Sequence, residues 1–172
     1  MSRITSALKV GLIATVVMEV FLRITDLLFH HGVNFAWLNG TSLGLDPESF
    51  TTLLAGYGIF LFGGVAFAYL YERFIPRKNI WTGMAYAVIF AMGVVAGLIM
   101  MPITGLTHPL VQAGVIPDPG FFGLGFGVKA GVFNFLGHIL YGVVLGAMTK
   151  PQQSEPTSPG EGTHENNQSG TP

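Results

Sequence analysis

The sequence predicts an all-α, polytopic membrane protein: four transmembrane helices in a compact bundle, with both termini cytoplasmic. Three observations carry this prediction. Half of the 172 residues are hydrophobic and only 10% are charged, too little charge to cover a soluble chain of this length. Four apolar runs recur, at about residues 4–24, 48–71, 80–101 and 128–149, and at ~1.5 Å per residue a run of about 20 residues crosses a ~30 Å hydrocarbon core. Lysine and arginine, finally, gather on alternate connections, the bias that sets membrane orientation.

The first run, ITSALKVGLIATVVMEVFLRI, opens on Arg3 and contains Lys9. It could be read as a signal peptide, but no small-x-small cleavage site follows, and Glu19 and Arg23 are foreign to such a segment. An uncleaved helix is expected. The connection that follows holds Asp26, His30, His31 and Asn39-Gly40. In Asp46-Pro47-Glu48 a capping aspartate, a first-turn proline and an acidic residue at the positive helix end place the start of the second span near Pro47. That span is expected to end near Tyr69 and Tyr71, at the interface where aromatic rings prefer to lie.

Glu72, Arg73, Pro76, Arg77 and Lys78 form a short charged turn before Trp81. Pro102 is expected to close the third span by denying the next turn a hydrogen bond. The connection 102–127 is rich in glycine and proline, with Asp118 as its only full charge, so it should lie in the interface or fold back over the bundle. Thr107 to Val115 could form a short interfacial helix there. The fourth run, VKAGVFNFLGHILYGVVLGAM, carries His138 near its middle. Residues 1–150 thus form the membrane domain, and 151–172, almost without large apolar side chains, a disordered cytoplasmic tail. Arg3, Arg73, Arg77, Lys78 and Lys150 put both termini and the second connection in the cytoplasm of a cell (inner or plasma) membrane. His30, His31, Asp46, His108 and Asp118 then fall on the outer face.

Ionisable groups within the spans cost on the order of 2.5 to 3.5 kcal/mol each and should face the bundle interior. Gly11, Thr15, Glu19 and Arg23 recur at i+4 and share one helix face. Gly127, Gly131, Asn134, His138, Tyr141 or Gly142, and Leu145 form a contact seam on the last helix. Helical rise puts Glu19 and Asn134 both ~22 Å from the inner boundary and His138 ~16 Å from it. The expectation is an intramembrane polar layer of Glu19, Arg23, Asn134, His138 and Tyr141, in which Glu19 meets His138 or Asn134 and Arg23 serves as its i+4 counter-ion. The same residues also read as a structural ion pair and an interhelical hydrogen bond. Gly93-x-x-x-Gly97 and Gly142-x-x-x-Gly146 read as close packing or as dimerisation.

Several chemistries are excluded. With no cysteine there are no disulfides, thiolate metal sites or cysteine nucleophiles. Only His138 lies inside a span, against a haem held by paired histidines. No phosphate loop, HExxH zinc motif or GxSxG elbow is present, and a net charge of −1 gives no field for nucleic acid.

GLIATVVM in the first helix, Met101-Pro102 at the end of the third, the Gly/Pro-rich connection and Gly137-His138-x-x-Tyr141-Gly142 resemble a family of small prokaryotic four-helix integral membrane proteins of unknown function. The likeness covers about Gly11 to Met148. It implies a fold and a membrane location. Members often carry a histidine in the second helix, where this chain has Tyr57-Gly58, which argues against a paired-histidine mechanism.

The leading expectation is a non-enzymatic accessory or partner-binding bundle whose partners are the lipid bilayer and a second copy or another membrane protein. The alternatives are a small oligomeric transporter, channel or proton relay using Glu19, Asn134 and His138, and a metal or cofactor protein using His138, with Glu19 and His108 as further ligands. No catalytic set and no cofactor is expected.

Overall fold

The computed structural model describes residues 3–149; the expected tail, 151–172, lies outside them, as does Lys150. The described residues are helical, with no strand. Three helices are long and apolar enough to cross a membrane: Phe50–Phe74, Ile80–Thr107 and Val128–Met148.

The first helix, α1 (Arg3–Phe29), runs past the expected end near Ile24. His30, at φ 50, donates its N–H to Asp26 O (2.8 Å) and turns the chain out of the helix. A short α2 (Phe35–Thr41) follows, capped by Asn34, whose side chain accepts from Trp37 N–H. Helix α3 (Phe50–Phe74) starts three residues later than expected. The Asp46 carboxylate is used one step earlier, on Glu48 N–H (3.0 Å), where it closes a tight turn, and Ser49 becomes the cap.

Helix α4 (Ile80–Thr107) corrects the expectation that the third apolar run ends at Pro102. It begins in a capping box between Asn79 and Thr82. From Tyr86 to Met100 it is wound as a wide π-helix, and Met101 N–H reaches five residues back to Ala96 O. Pro102 therefore sits in the first turn of a renewed α-helical segment, Met101–Thr107, where its missing N–H costs little. Past His108 the anticipated interfacial helix shrinks to α5 (Pro109–Gln112), and a tight 3-10 segment, Phe121–Phe126, leads into α6 (Val128–Met148).

In space the helices form an arc, α3–α1–α6–α4, with α2 lying on α3. Glycines set the crossings. Gly11 of α1 lies on Val65 and Ala68 of α3, and Gly64 of α3 lies on Thr15. At the other crossing Gly83 of α4 packs on Gly142 and Gly146 of α6, so the last glycine pair serves packing between helices of one chain. The end of α3 is tied to the start of α1 by Ser6 Oγ–H donating to Glu72 Oε1 (2.7 Å). Gly146 near the end of α6 lies on Asn79, so both ends of the described chain share one end of the bundle with the 75–79 turn.

The arc is not closed. Near that turn α3 and α4 touch: Tyr86 Oη donates to Phe67 O (2.9 Å), the Tyr71 ring lies tilted against Tyr86, and Phe67 meets Phe90 edge-on. Towards the opposite end the two helices part. The outward surface of the long helices is largely apolar, with Phe50, Phe62, Trp81 and Leu106 about three-quarters exposed, the inverse of a soluble domain.

Candidate functional site

The parting of α3 from α4 creates a cleft of about 290 Å³. One wall is α3, with Ile59, Phe60, Gly63 and Phe67; the other is the wide part of α4, with Ala91, Ala96, Met100 and Met101. Its rim residues Ile59, Phe62 and Met100 are exposed on the outside of the bundle, so the cleft opens sideways. The floor comes from α1 and α6: Thr15, Met18, Asn134, His138 and Tyr141. Asn39 of α2 stands at its margin.

The polar groups of the floor are unequally engaged. Thr15 donates to Gly11 O (2.7 Å) and Tyr141 Oη donates to Gly64 O (2.6 Å), tying α6 to α3 beneath the cleft. His138 Nδ1 lies 2.9 Å from Asn134 O, one turn back on its own helix. A carbonyl only accepts, so Nδ1 carries the hydrogen, and in the neutral ring Nε2 is left with its lone pair. Neither Nε2 nor the Asn134 side-chain amide meets a protein hydrogen-bond partner among the described residues, although Asn134 is only 5% exposed.

The expected polar layer is thus divided in two. Arg23 is the i+4 counter-ion of Glu19, Nε to Oε1 2.6 Å. The expected contact of Glu19 with His138 or Asn134 is not formed. The Gly11–Thr15–Glu19–Arg23 face is turned to α3, and Glu19 Oε1 accepts from Tyr57 Oη (3.2 Å) instead. Arg23 Nη2 donates to Asn34 Oδ1 (3.1 Å), which also caps α2. Glu19 is buried, and its Oε2 has no partner. No hydrogen bond among the described residues links this cluster to Asn134 or His138 in the cleft.

Asn34 and Tyr57 escaped the sequence reading. The signal for Asn34 was present in its spacing from Trp37, the interval of an N-cap; for Tyr57 there was none, because only α1's rotation brings it to Glu19.

His108, expected on the outer face as a further metal ligand, is 1% exposed. Its Nδ1 accepts from Leu110 N–H (3.2 Å), which leaves Nε2–H to donate to Leu38 O (3.1 Å) beside Thr41 Oγ1. Both nitrogens are spent on holding α5 against α2. No group of three or more His, Asp and Glu gathers around a common point among the described residues, and His138, Glu19 and His108 lie in separate settings.

A family model described as a family of unknown function, DUF6789, matches residues 1–159. The chain belongs to the DUF6789 family. No curated protein and no solved structure matches it. For this DUF6789 chain the cleft and the Glu19 cluster are the places where geometry concentrates chemistry.

Proposed function

We propose that this chain is an integral protein of the cell membrane, crossing it four times with both termini cytoplasmic, and that it is a non-enzymatic binding bundle taking up an apolar molecule from the bilayer. The cleft between α3 and α4 carries the reading. Its walls are apolar, it opens sideways where lipid would lie, and the few polar groups at its floor are the usual means by which such a pocket orients a ligand. Support for the fourth crossing comes from α1, whose outward face is the continuous stripe Leu8, Leu12, Val16, Val20 and Ile24, all exposed. A helix with that face needs lipid against it.

The chain has no cysteine, so single cysteines report topology without background. Cysteines placed at Ser42 and at Asn79 are expected to label from opposite sides of sealed vesicles, with Asn79 on the cytoplasmic side. Labelling of both from one side ends the four-crossing arrangement.

Gly63 tests the cleft itself. A β-carbon there meets nothing within 4 Å, so Gly63→Leu projects a side chain into the cleft from a position that touches no neighbouring helix, and it raises helix propensity. Protein purified from membranes is expected to retain a small apolar molecule that native mass spectrometry detects, and Gly63→Leu to lose at least about nine-tenths of it, roughly 1.4 kcal/mol of affinity, at unchanged melting temperature. Equal retention by both proteins overturns the binding reading.

A further inference from the structure

We propose that the molecule held in the cleft carries a hydroxyl group, recognised by His138 and Asn134 together. This rests on the binding function proposed above and adds the chemistry of the head group. His138 Nδ1–H is committed to Asn134 O at 2.9 Å, so the ring offers the cleft an acceptor, Nε2, and nothing else. Asn134, four residues earlier on the same face of α6, offers an amide, which presents an N–H donor and a carbonyl acceptor whichever way round it is set. The pair therefore asks for a group that donates and accepts at one atom. A hydroxyl does both: its proton goes to His138 Nε2, and its oxygen takes the Asn134 N–H. A ketone, an ether or an ester can only accept and leaves Nε2 bare.

The environment makes this demand selective. Both side chains line a cleft whose walls are apolar, where an unpaired acceptor is not repaid by water. Discrimination is strongest when a ligand lacking the hydroxyl leaves a desolvated polar group unsatisfied. The volume limits the body of the ligand. At about 290 Å³ the cleft is roughly twice the ~150 Å³ that admits one benzene ring, room for a ring with a short tail or a medium-length chain, but not for a whole phospholipid. The walls suit either body. Phe60 and Phe67 face Met100 and Met101 across the cleft, and aromatic and thioether groups pack on rings and on chains alike.

The test uses the full chain in lipid nanodiscs, with empty nanodiscs subtracted, and two matched pairs of probes: para-hexylphenol with its methyl ether, and nonanol with its methyl ether. The phenol or the alcohol is expected to bind wild-type protein about tenfold tighter than its own ether; the pair that shows the preference identifies the source as a phenolic ring or an alkanol. In His138→Phe and in Asn134→Leu the preference is expected to fall below about twofold while the ethers still bind. Equal binding of hydroxyl and ether to wild type overturns the head-group assignment even where Gly63→Leu abolishes both, an outcome that leaves the cleft itself in place. Since that comparison needs no variant, it holds even where His138→Phe fails to fold. Binding of no probe by wild type or Gly63→Leu overturns the assignment and the cleft reading together.

Discussion

Gly142→Ala is expected to destabilise the protein by about 3 kcal/mol, at the upper end of ordinary overpacking costs, although it adds a single methyl group. The β-carbon would come within 2.5 Å of Gly83 O and 2.7 Å of Met84 Cα. Both are backbone atoms of α4, so no side chain can rotate away, and the only relief is separation of α4 from α6. The same crossing is closed by Gly83 and Gly146, each of whose β-carbons would also strike backbone. Within a membrane, helices are held together by packing and hydrogen bonds, with no hydrophobic gain to offset a lost contact. Gly58→Ala is the matched control, because a β-carbon there meets nothing within 4 Å, and it is expected to change stability by less than about 1 kcal/mol. Unfolding curves in mixed micelles, titrated with a denaturing detergent, measure both. Similar midpoints for the two variants would mean that the α4–α6 crossing can loosen freely.

Where the helices lie was legible because length and apolarity dictate it. The runs near 48–71, 80–101 and 128–149 correspond to α3, α4 and α6, and the glycine and small-residue seams were visible as helical spacing. What failed were local decisions between competing hydrogen bonds. Pro102 reads as a terminator only if the helix before it is an ordinary α-helix; after a π-wound stretch it opens a new first turn. Asp46 reads as a helix cap until its carboxylate is found on Glu48 N–H, and a two-residue reach of that kind is not distinguished by residue type alone.

The site was legible in content and illegible in partnership. Helical rise placed Glu19, Asn134 and His138 at similar depths, which is one coordinate. Which neighbour each faces depends on the rotation and order of the helices, and those are fixed by glycine contacts between segments far apart in the sequence. The face of α1 that carries Glu19 is turned to α3 because Gly11 and Gly64 let those two backbones approach. Asn134 and His138 look into a cleft that exists because α3 and α4 diverge beyond Phe67 and Phe90. A gap between two helices has no sequence motif.

The turning of Glu19 away from His138 has an energetic consequence of its own. Arg23→Met is expected to cost about 3 kcal/mol, while the double variant Glu19→Gln/Arg23→Met returns to within about 1 kcal/mol of wild type. Glu19 is 9% exposed, and its Oε1 takes hydrogen bonds from Arg23 Nε and Tyr57 Oη, while Oε2 has none. With Arg23 gone, a carboxylate in an apolar setting keeps one neutral donor, and the uncompensated charge dominates the loss. Glutamine at position 19 removes that charge and still accepts from Tyr57, so the double variant recovers. Glu19→Gln alone is expected to cost about 1 kcal/mol, because the Arg23 side chain is 31% exposed and its Nη2 keeps Asn34 Oδ1. A double-mutant cycle read by the same detergent titration measures the coupling. Additive effects, with the double variant no more stable than Arg23→Met, would show that Glu19 already has another source of compensation and that its i+4 partner is incidental.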